Sequence, residues 1–229
     1  MPADFSTVPV PVITIDGPSG CGKGTIAAML AEHLRWHLLD SGALYRGLGH
    51  AATAAGVDLD DGEELGQLAQ GLNLRFDGQR LLLADADISA EIRTETAAAA
   101  ASRVARHPQV RAAMLGWQRD AAQPPGLVAD GRDMGTVVFA SAPVKFYLDA
   151  SAEERANRRY KQLNDKGADA NLADLIEELR ERDERDRQRA SSPLVAASDA
   201  IVIDSTTMSI DAVFAQVIGA VRRSLPQLS

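Results

Sequence analysis

The sequence predicts an α/β protein built on a parallel five-stranded sheet with helices on both faces, carrying a small inserted α/β piece and a short helical lid. Three observations predict it. Apolar runs rich in β-branched residues alternate with helix-forming stretches along most of the 229-residue chain, the pattern of a parallel sheet covered on both sides. The alternation is interrupted once, over about residues 58–93, by a piece with its own hairpin signal. A highly charged helical pair, about residues 153–189, follows the fourth strand expected of the main sheet. The 45% hydrophobic and 24% charged content is that of an ordinary globular protein, and the length allows one large core.

The first strand is expected over residues 10–16, and an alanine-rich amphipathic stretch to about residue 34 forms the first helix. Between them stands Gly17-Pro18-Ser19-Gly20-Cys21-Gly22-Lys23-Gly24-Thr25. Strand, glycine-rich loop and helix in this order read as a phosphate loop. Glycines let backbone N–H groups close on an anion, and the helix adds its positive N-terminal end. Lys23 can then reach the outer phosphates of a nucleoside triphosphate. An ordinary Gly-rich turn is the plainer alternative, and the complete GxxxxGK frame in this context sets it aside. The usual frame places Ser or Thr directly after the lysine, where its hydroxyl binds Mg²⁺. Here Gly24 holds that place and Thr25 follows, which makes Thr25 the candidate Mg²⁺ ligand. This GxxxxGKGT form resembles that of nucleoside monophosphate kinases. Cys21 is expected to be a small spacer, not a nucleophile.

Residues 36–40 read as a short buried strand in which Trp36 and His37 are packed side chains. Ser41 is expected to cap the next helix, which carries Tyr45 and Arg46. A short helix over 63–72 is followed by strand-like runs at 72–76 and 80–83, joined by the hairpin signal Asp77-Gly78. Residues 85–88 add a third short strand. Residues 94–122 are helical with a break near His107-Pro108, because proline cannot continue a helix interior. The alanine run at 97–101 reflects helix propensity. After Pro124-Pro125-Gly126 come core strands at 127–130 and 144–149, a helical pair at 151–189 interrupted at Asp165-Lys166-Gly167, a last strand at 200–204 and a last helix from 210 to about 223.

Bulk properties exclude several classes. A formal charge of −8 argues against broad nucleic-acid binding, which needs a basic face. One cysteine excludes an internal disulfide framework and a Cys-rich metal site. Residues 1–9 lack the basic start and apolar core of a secretory signal, and no apolar stretch approaches the roughly 20 residues that span a bilayer. The expectation is a soluble cytoplasmic protein, and, with no long apolar stripe, a monomer.

Ligands of open parallel sheets bind at the carboxyl ends of the strands. Those ends are Asp16, Asp40-Ser41, Asp130-Gly131-Arg132-Asp133, Asp149-Ala150 and Asp204-Ser205, so a single polar rim is expected. On a helix, Arg182, Arg185, Asp186 and Arg189 fall within an arc of roughly 100°. Taken alone, this segment suggests a solvated face with Arg182 and Asp186 paired. A phosphate loop elsewhere in the chain reverses the preference, because phosphoryl transfer has to neutralise charge on several oxygens and arginine offers planar, bidentate donors. Arg46 and Arg132 lie just beyond strand ends, and Arg155, Arg158 and Arg159 lie on the preceding helix. The broken helical pair reads as a lid that excludes water.

With those residues in view, the chain resembles the bacterial cytidylate kinases. The matching stretches are Ile13-Thr14-Ile15-Asp16-Gly17-Pro18-Ser19-Gly20, Leu38-Leu39-Asp40-Ser41-Gly42-Ala43-Leu44-Tyr45-Arg46, Ala129-Asp130-Gly131-Arg132-Asp133-Met134-Gly135-Thr136-Val137-Val138, and residues 182–189 with Pro193-Leu194. The resemblance covers nearly the whole chain. It implies a P-loop kinase fold in which 58–93 binds the nucleoside monophosphate and 153–189 is the lid. It implies the reaction of ATP with CMP or dCMP to give ADP and CDP or dCDP, with Mg²⁺, in pyrimidine nucleotide metabolism. Carried over by position, acceptor-phosphate contacts fall on Arg46, Arg132 and Arg189, sugar contacts on Arg182 and Asp186, and Ser41 lies beside the monophosphate. Cytosine contacts fall on Ser102, Arg111 and Asp133. This last set makes chemical sense: Asp133 accepts from the exocyclic amine, and Ser102 and Arg111 donate to ring acceptors. Uracil would leave the carboxylate unpaired, which discriminates by about 10⁴ or more in sites built for a hydrogen bond. Lys23 and the loop hold the donor, and Arg158 or Arg159 neutralises the transition state. Asp130 either orients Mg²⁺ through water or holds a neighbouring arginine. The rival readings are a kinase for UMP or AMP and a non-catalytic nucleotide switch.

Overall fold

Strand β1 (Val12–Asp16) is buried over its whole length, as a central parallel strand has to be. The computed structural model describes residues 10–78, 80–165, 167, 169–189 and 191–226; the expectations for residues 1–9 and for Lys166 in the lid break lie outside these. Around β1 stand β6 (Leu127–Gly131) and β7 (Val144–Asp149), with β2 (His37–Asp40) and β8 (Ile201–Asp204) at the two edges. The order is β2-β6-β1-β7-β8 and every pairing is parallel. The chain therefore leaves β1 toward one edge first and returns to build the other, placing a switch of direction at the end of β1, where such sheets hold ligands.

Side-chain alternation divides the interior into two cores. Ile13 and Ile15 of β1, Val128 of β6 and Phe146 and Leu148 of β7 pack under α1 (Lys23–Leu34) and α8 (Ile210–Ser224). On the opposite face, Leu39, Leu127 and Ala129 join α2 (Ser41–Ala55), α4 (Glu95–Val104) and α5 (Pro108–Asp120). The same alternation puts Thr14 and Asp16 on this second face, buried and polar beneath the turn of π-helix at Met134–Val138. The proline break separates α4 from α5 where expected, with Pro108 opening α5 and the Thr94 hydroxyl capping α4 at Ala97 N–H, 3.2 Å.

After α3 (Gly62–Gly71), the interrupting piece forms a separate antiparallel sheet of β3 (Leu74–Asp77), β4 (Arg80–Leu83) and the two-residue β5 (Ala86–Asp87). It buries Leu74, Leu81 and Ile88 in the same cluster as Leu44 and Leu48 of α2. The first of these strands starts at Leu74, two residues later than the apolar run suggests. Asp77 pairs with Arg80, and Gly78 turns the chain between them.

Two local expectations are corrected. β2 is an edge strand, not a buried one: it pairs only with β6, and His37 is exposed, its ring nitrogen 3.0 Å from the Pro124 carbonyl. Asp40, not Ser41, caps α2, accepting from Ala43 N–H at 2.9 Å. Ser41 is already helical, and its hydroxyl donates 2.8 Å across to the Asp130 carbonyl. The charged pair forms α6 (Ala152–Asp165) and α7 (Leu172–Arg187), packed on each other. Among the described residues no helix is long and apolar enough to cross a membrane.

Candidate active site

The turn out of β1 has a steric reason for glycine. A Cβ on Gly17 would sit 2.0 Å from the Leu148 carbonyl oxygen of β7, so no other residue fits. The loop then delivers Gly22 with φ 94° to the N-cap of α1, with no side chain bonded to the first-turn N–H groups. Those free donors and the helix dipole favour an anion. Lys23 is buried and donates to the Pro18 carbonyl at 3.0 Å. Burial first, and the Arg132 charge second, hold its ammonium below the ordinary lysine range. Cys21 is 1% exposed and packs in the core with Ile26, as a spacer does.

A cleft of about 500 Å³ opens beside this loop, walled by Ser19, Gly20, Lys23 and Gly24 on that side. Gly17, Pro18, Cys21, Gly22 and Thr25 do not line it, and Thr25 is exposed. Gly24 has a geometric role: a Cβ there would lie 3.1 Å from Asp130 Oδ2. The residue replacing the usual hydroxyl thus makes room for the carboxylate at the end of β6. Burial, opposed by Lys23, pushes the Asp130 carboxyl up to about 6. Its Oδ1 is buried with no partner among the described residues.

Opposite the loop, four guanidinium groups gather from α2, from the residues after β6, and from α7 with the residues just past its end. Arg46, one turn into α2, is held by Asp40 at 2.9 Å, leaving its buried Nε unpartnered. Arg132, just past β6, donates to the Gly131 carbonyl at 3.0 Å and to Asp186 at 3.4 Å. Asp186, 2% exposed, also pairs with Arg189. Arg182 has a buried, unpartnered Nε, and burial and then the charge of Arg132 push it down to about 10. Burial likewise lowers Arg189. Four cations thus face one space with too few carboxylates, and the uncompensated charge favours an anion.

The far end of the cleft is built by α4, α5 and the residues after β6. Ser102, Arg111 and Asp133 all line it. Arg111 and Asp133 form a buried ion pair through Asp133 Oδ2. Arg111 also donates to the Ala105 carbonyl at 3.3 Å and lies 5.6 Å over the Tyr45 ring. The Ser102 hydroxyl is buried and has no partner. An acceptor, donors and an unmet hydrogen bond are therefore assembled in one pocket.

The arginines of α6 divide in their bonding. Arg158 donates to the Ser205 carbonyl at 2.6 Å, the Cys21 carbonyl at 3.3 Å and Glu154 at 2.8 Å. Arg159 pairs with Glu95 at the start of α4, and both line the cleft. Arg155 also borders it, but its guanidinium is committed to Ala150, Ser19 and Asp183.

Two expectations about the rim and arginine face change, and the alternative of a solvated, paired face is not met. Arg185, at the edge of the helical arc, lies outside the cleft, more than half exposed and 3.5 Å from Glu181. The Arg182–Asp186 pair does not form, because Asp186 is taken by Arg132 and Arg189. The rim is not single: Asp40 and Asp130 reach the cleft, whereas Asp149 and Asp204 border a separate hollow on the β7–β8 side. Asp16 faces neither. It accepts from the N–H groups of Met134 and Gly135, each at 2.8 Å, and anchors the turn that follows Arg132-Asp133. The signal for this role is the strand alternation, which puts Asp16 on the face opposite Ile13 and Ile15.

A family model for cytidylate kinase matches residues 13–223. A cytidylate kinase from Aeromonas salmonicida is 55% identical over 223 residues, 96% of this chain and 97% of that protein. One from Stutzerimonas stutzeri is 57% identical over 219 residues, 93% and 96% of the two chains. Among solved structures, an uncharacterized protein from Eubacterium ventriosum superposes with TM-score 0.50 at 12% identity, over 92% of this chain and 98% of that one, a likeness of fold alone. With its phosphate loop facing an arginine cluster across one cleft, the chain belongs to the cytidylate kinase family.

Proposed function

We propose that the protein transfers the γ-phosphoryl group of ATP to CMP and dCMP, giving ADP with CDP or dCDP. The observation that carries this reading is the continuity of one cleft from Lys23, through the arginine cluster, to the Ser102–Arg111–Asp133 pocket. Lys23 and the loop N–H groups hold the donor phosphates. Arg46, Arg132 and Arg189 receive the acceptor phosphate, with Ser41 beside it, and Arg182 and Asp186 serve the sugar. The attacking phosphate oxygen is already ionised, so positioning and charge stabilisation do the work without a strong general base. Arg158 and Arg159, both on the cleft wall, would add further compensation for a transferring phosphoryl group. Asp133 accepts from the cytosine amine, while Ser102 and Arg111 donate to the ring acceptors.

Mg²⁺ fits the orphaned Oδ1 of Asp130 better than the exposed Thr25. Among the described residues no group of three or more His, Cys, Asp or Glu side chains could hold a metal ion. This suits an ion carried in by the donor phosphates and kept partly hydrated. When bound, Mg²⁺ neutralises charge on those phosphates. Of the two roles open to Asp130, holding Arg132 has less support, since Arg132 bonds Gly131 and Asp186 instead.

We further propose a monomer acting in the cytoplasm on small-molecule substrates, with no nucleic-acid partner, in keeping with the charge of −8. A coupled ADP-release assay across CMP, dCMP, UMP and AMP tests the central reading. CMP and dCMP are expected to turn over with the highest kcat/KM. Equal turnover of UMP or AMP would overturn it.

A further inference from the structure

We infer that the buried Arg155–Asp183 pair is a positioning link that makes donor and acceptor bind synergistically. The inference rests on the reading of the phosphate loop as donor site and of the arginine cluster as acceptor site. Arg155 is on α6 and Asp183 on α7, and each is 3% exposed. Arg155 Nη1 donates to Asp183 Oδ1 at 3.2 Å and Nη2 to Oδ2 at 2.5 Å. The same Nη1 donates to the Ser19 carbonyl at 2.9 Å, and Nε donates to the Ala150 carbonyl at 2.9 Å. So engaged, the guanidinium is poorly placed to serve as a phosphate ligand, although it borders the cleft.

Its partners explain what it does instead. Ser19 and Gly20 belong to the phosphate loop, and Gly20 sits so close that an added Cβ would lie 3.3 Å from Arg155 Cβ. Asp183 stands one residue after Arg182 and three before Asp186, whose side chains line the acceptor end of the cleft. On one rigid helix, the rotation that seats Asp183 on Arg155 also sets the direction of Arg182 and Asp186. Donor phosphates that draw the loop N–H groups inward fix the Ser19 carbonyl, and through Arg155 they fix α7. The route is a contiguous chain of buried, charge-assisted bonds, and the coupling it carries is reciprocal.

The test is calorimetric titration of CMP into the protein, with and without a saturating, non-hydrolysable β,γ-imido analogue of ATP and Mg²⁺. In the parent protein the analogue is expected to tighten CMP by about tenfold, within the usual range of coupling. Arg155→Lys keeps a cation opposite Asp183 but cannot bridge Asp183 and Ser19 together. Its coupling factor is expected to fall toward one, with CMP affinity in the absence of analogue within about threefold of the parent. The double variant Arg155→Met, Asp183→Leu replaces the buried pair by apolar volume, a change often tolerated by folding, and is expected to behave likewise. A purely structural pair would weaken both ligands and leave the factor intact. Absence of coupling in the parent, or an unchanged factor in either folded variant, overturns the inference; failure of both variants to fold also counts against it. Failure of the parent to bind CMP at all would instead overturn the proposed function.

Discussion

Replacing Asp133 by asparagine separates base reading from folding. In the structure Arg111 takes Asp133 Oδ2, and in the proposed function the other carboxylate oxygen accepts from the exocyclic amine of cytosine. The side-chain amide introduced by Asp133→Asn would keep an acceptor oxygen for Arg111 but turn its NH₂ toward the base. Facing cytosine, two amines would meet; facing uracil, the amide would donate to the carbonyl. A site that loses a designed hydrogen bond loses discrimination of about 10⁴, close to 5.5 kcal/mol at 1.36 kcal/mol per decade. The CMP/UMP ratio of kcat/KM is therefore expected to fall from that order to within about tenfold of one. Stability falls as well, because the Arg111 charge, on a side chain 9% exposed, keeps a hydrogen bond but loses its counter-ion. Removing one partner of a buried pair costs about 3–5 kcal/mol, and the retained bond brings the expectation to roughly 2–3 kcal/mol. Thermal melts give the second number, and initial rates with both nucleotides, measured well below the melting transition, give the first. An unchanged ratio of kcat/KM in a folded variant would refute the reasoning and remove Asp133 from base recognition.

Two further outcomes are expected. Lys23→Ala and Arg132→Ala should each lower kcat/KM for CMP by about 10²–10³-fold or more, read by ADP release, because each removes a fixed charge from where phosphoryl charge develops. Near-normal activity in either would contradict its assigned place. Asp130→Asn should abolish most activity while stabilising the free protein at pH 7. The sign follows from a folded-state carboxyl raised from 3.8 to about 6: its neutral form suits the fold, so its contribution is full below pH 3.8, declines as pH rises to about 6 and is lost above. The substitution is worth up to about 3 kcal/mol at pH 7, visible in denaturant melts at pH 4 and pH 7. Asp16, raised to about 7 chiefly by burial, adds a slope of the same sign that the variant retains. A variant less stable than the parent at pH 7 would show that Asp130 is held as a stabilising ion.

Legibility in the sequence followed the range of the interactions involved. The strands, the phosphate loop and the Pro108 break are written in local patterns of β-branched residues, glycine and proline, and each stands within a few residues of its expected place. Positions set by distant contacts were less legible. Whether 37–40 is central or an edge depends on which strand lies beside it, and only the order β2-β6-β1-β7-β8 decides that His37 is exposed. Helical phase brought Arg182, Asp186 and Arg189 correctly to one face, yet could not say that Asp186 would be claimed by Arg132, 54 residues earlier. Arg185, at the margin of the same arc, lies outside the cleft, a distinction that helical phase does not draw. Resemblance, not periodicity, singled out Ser102 on its alanine-rich helix, and its orphaned hydroxyl gives that choice a physical basis.

The cleft also holds several buried polar atoms without a partner among the described residues. Unpartnered buried atoms of Arg46, Ser102, Arg111, Asp130 and Arg182 all belong to residues on its wall. Each such group costs about 1–3 kcal/mol until it is paired. In the proposed function, substrates would supply complementary groups: phosphate oxygens for the arginines, a hydrated cation for Asp130, ring acceptors for Ser102 and Arg111. The stability forgone in the free protein therefore returns as binding energy when both nucleotides are present. It is largest where charge develops during transfer, since a preorganised cation gains most from an anion that grows between donor and acceptor. The displaced hydroxyl at position 24 belongs to the same logic. Gly24 gives up a side chain next to Lys23 so that an unpartnered carboxylate can stand 3.1 Å from where its Cβ would be.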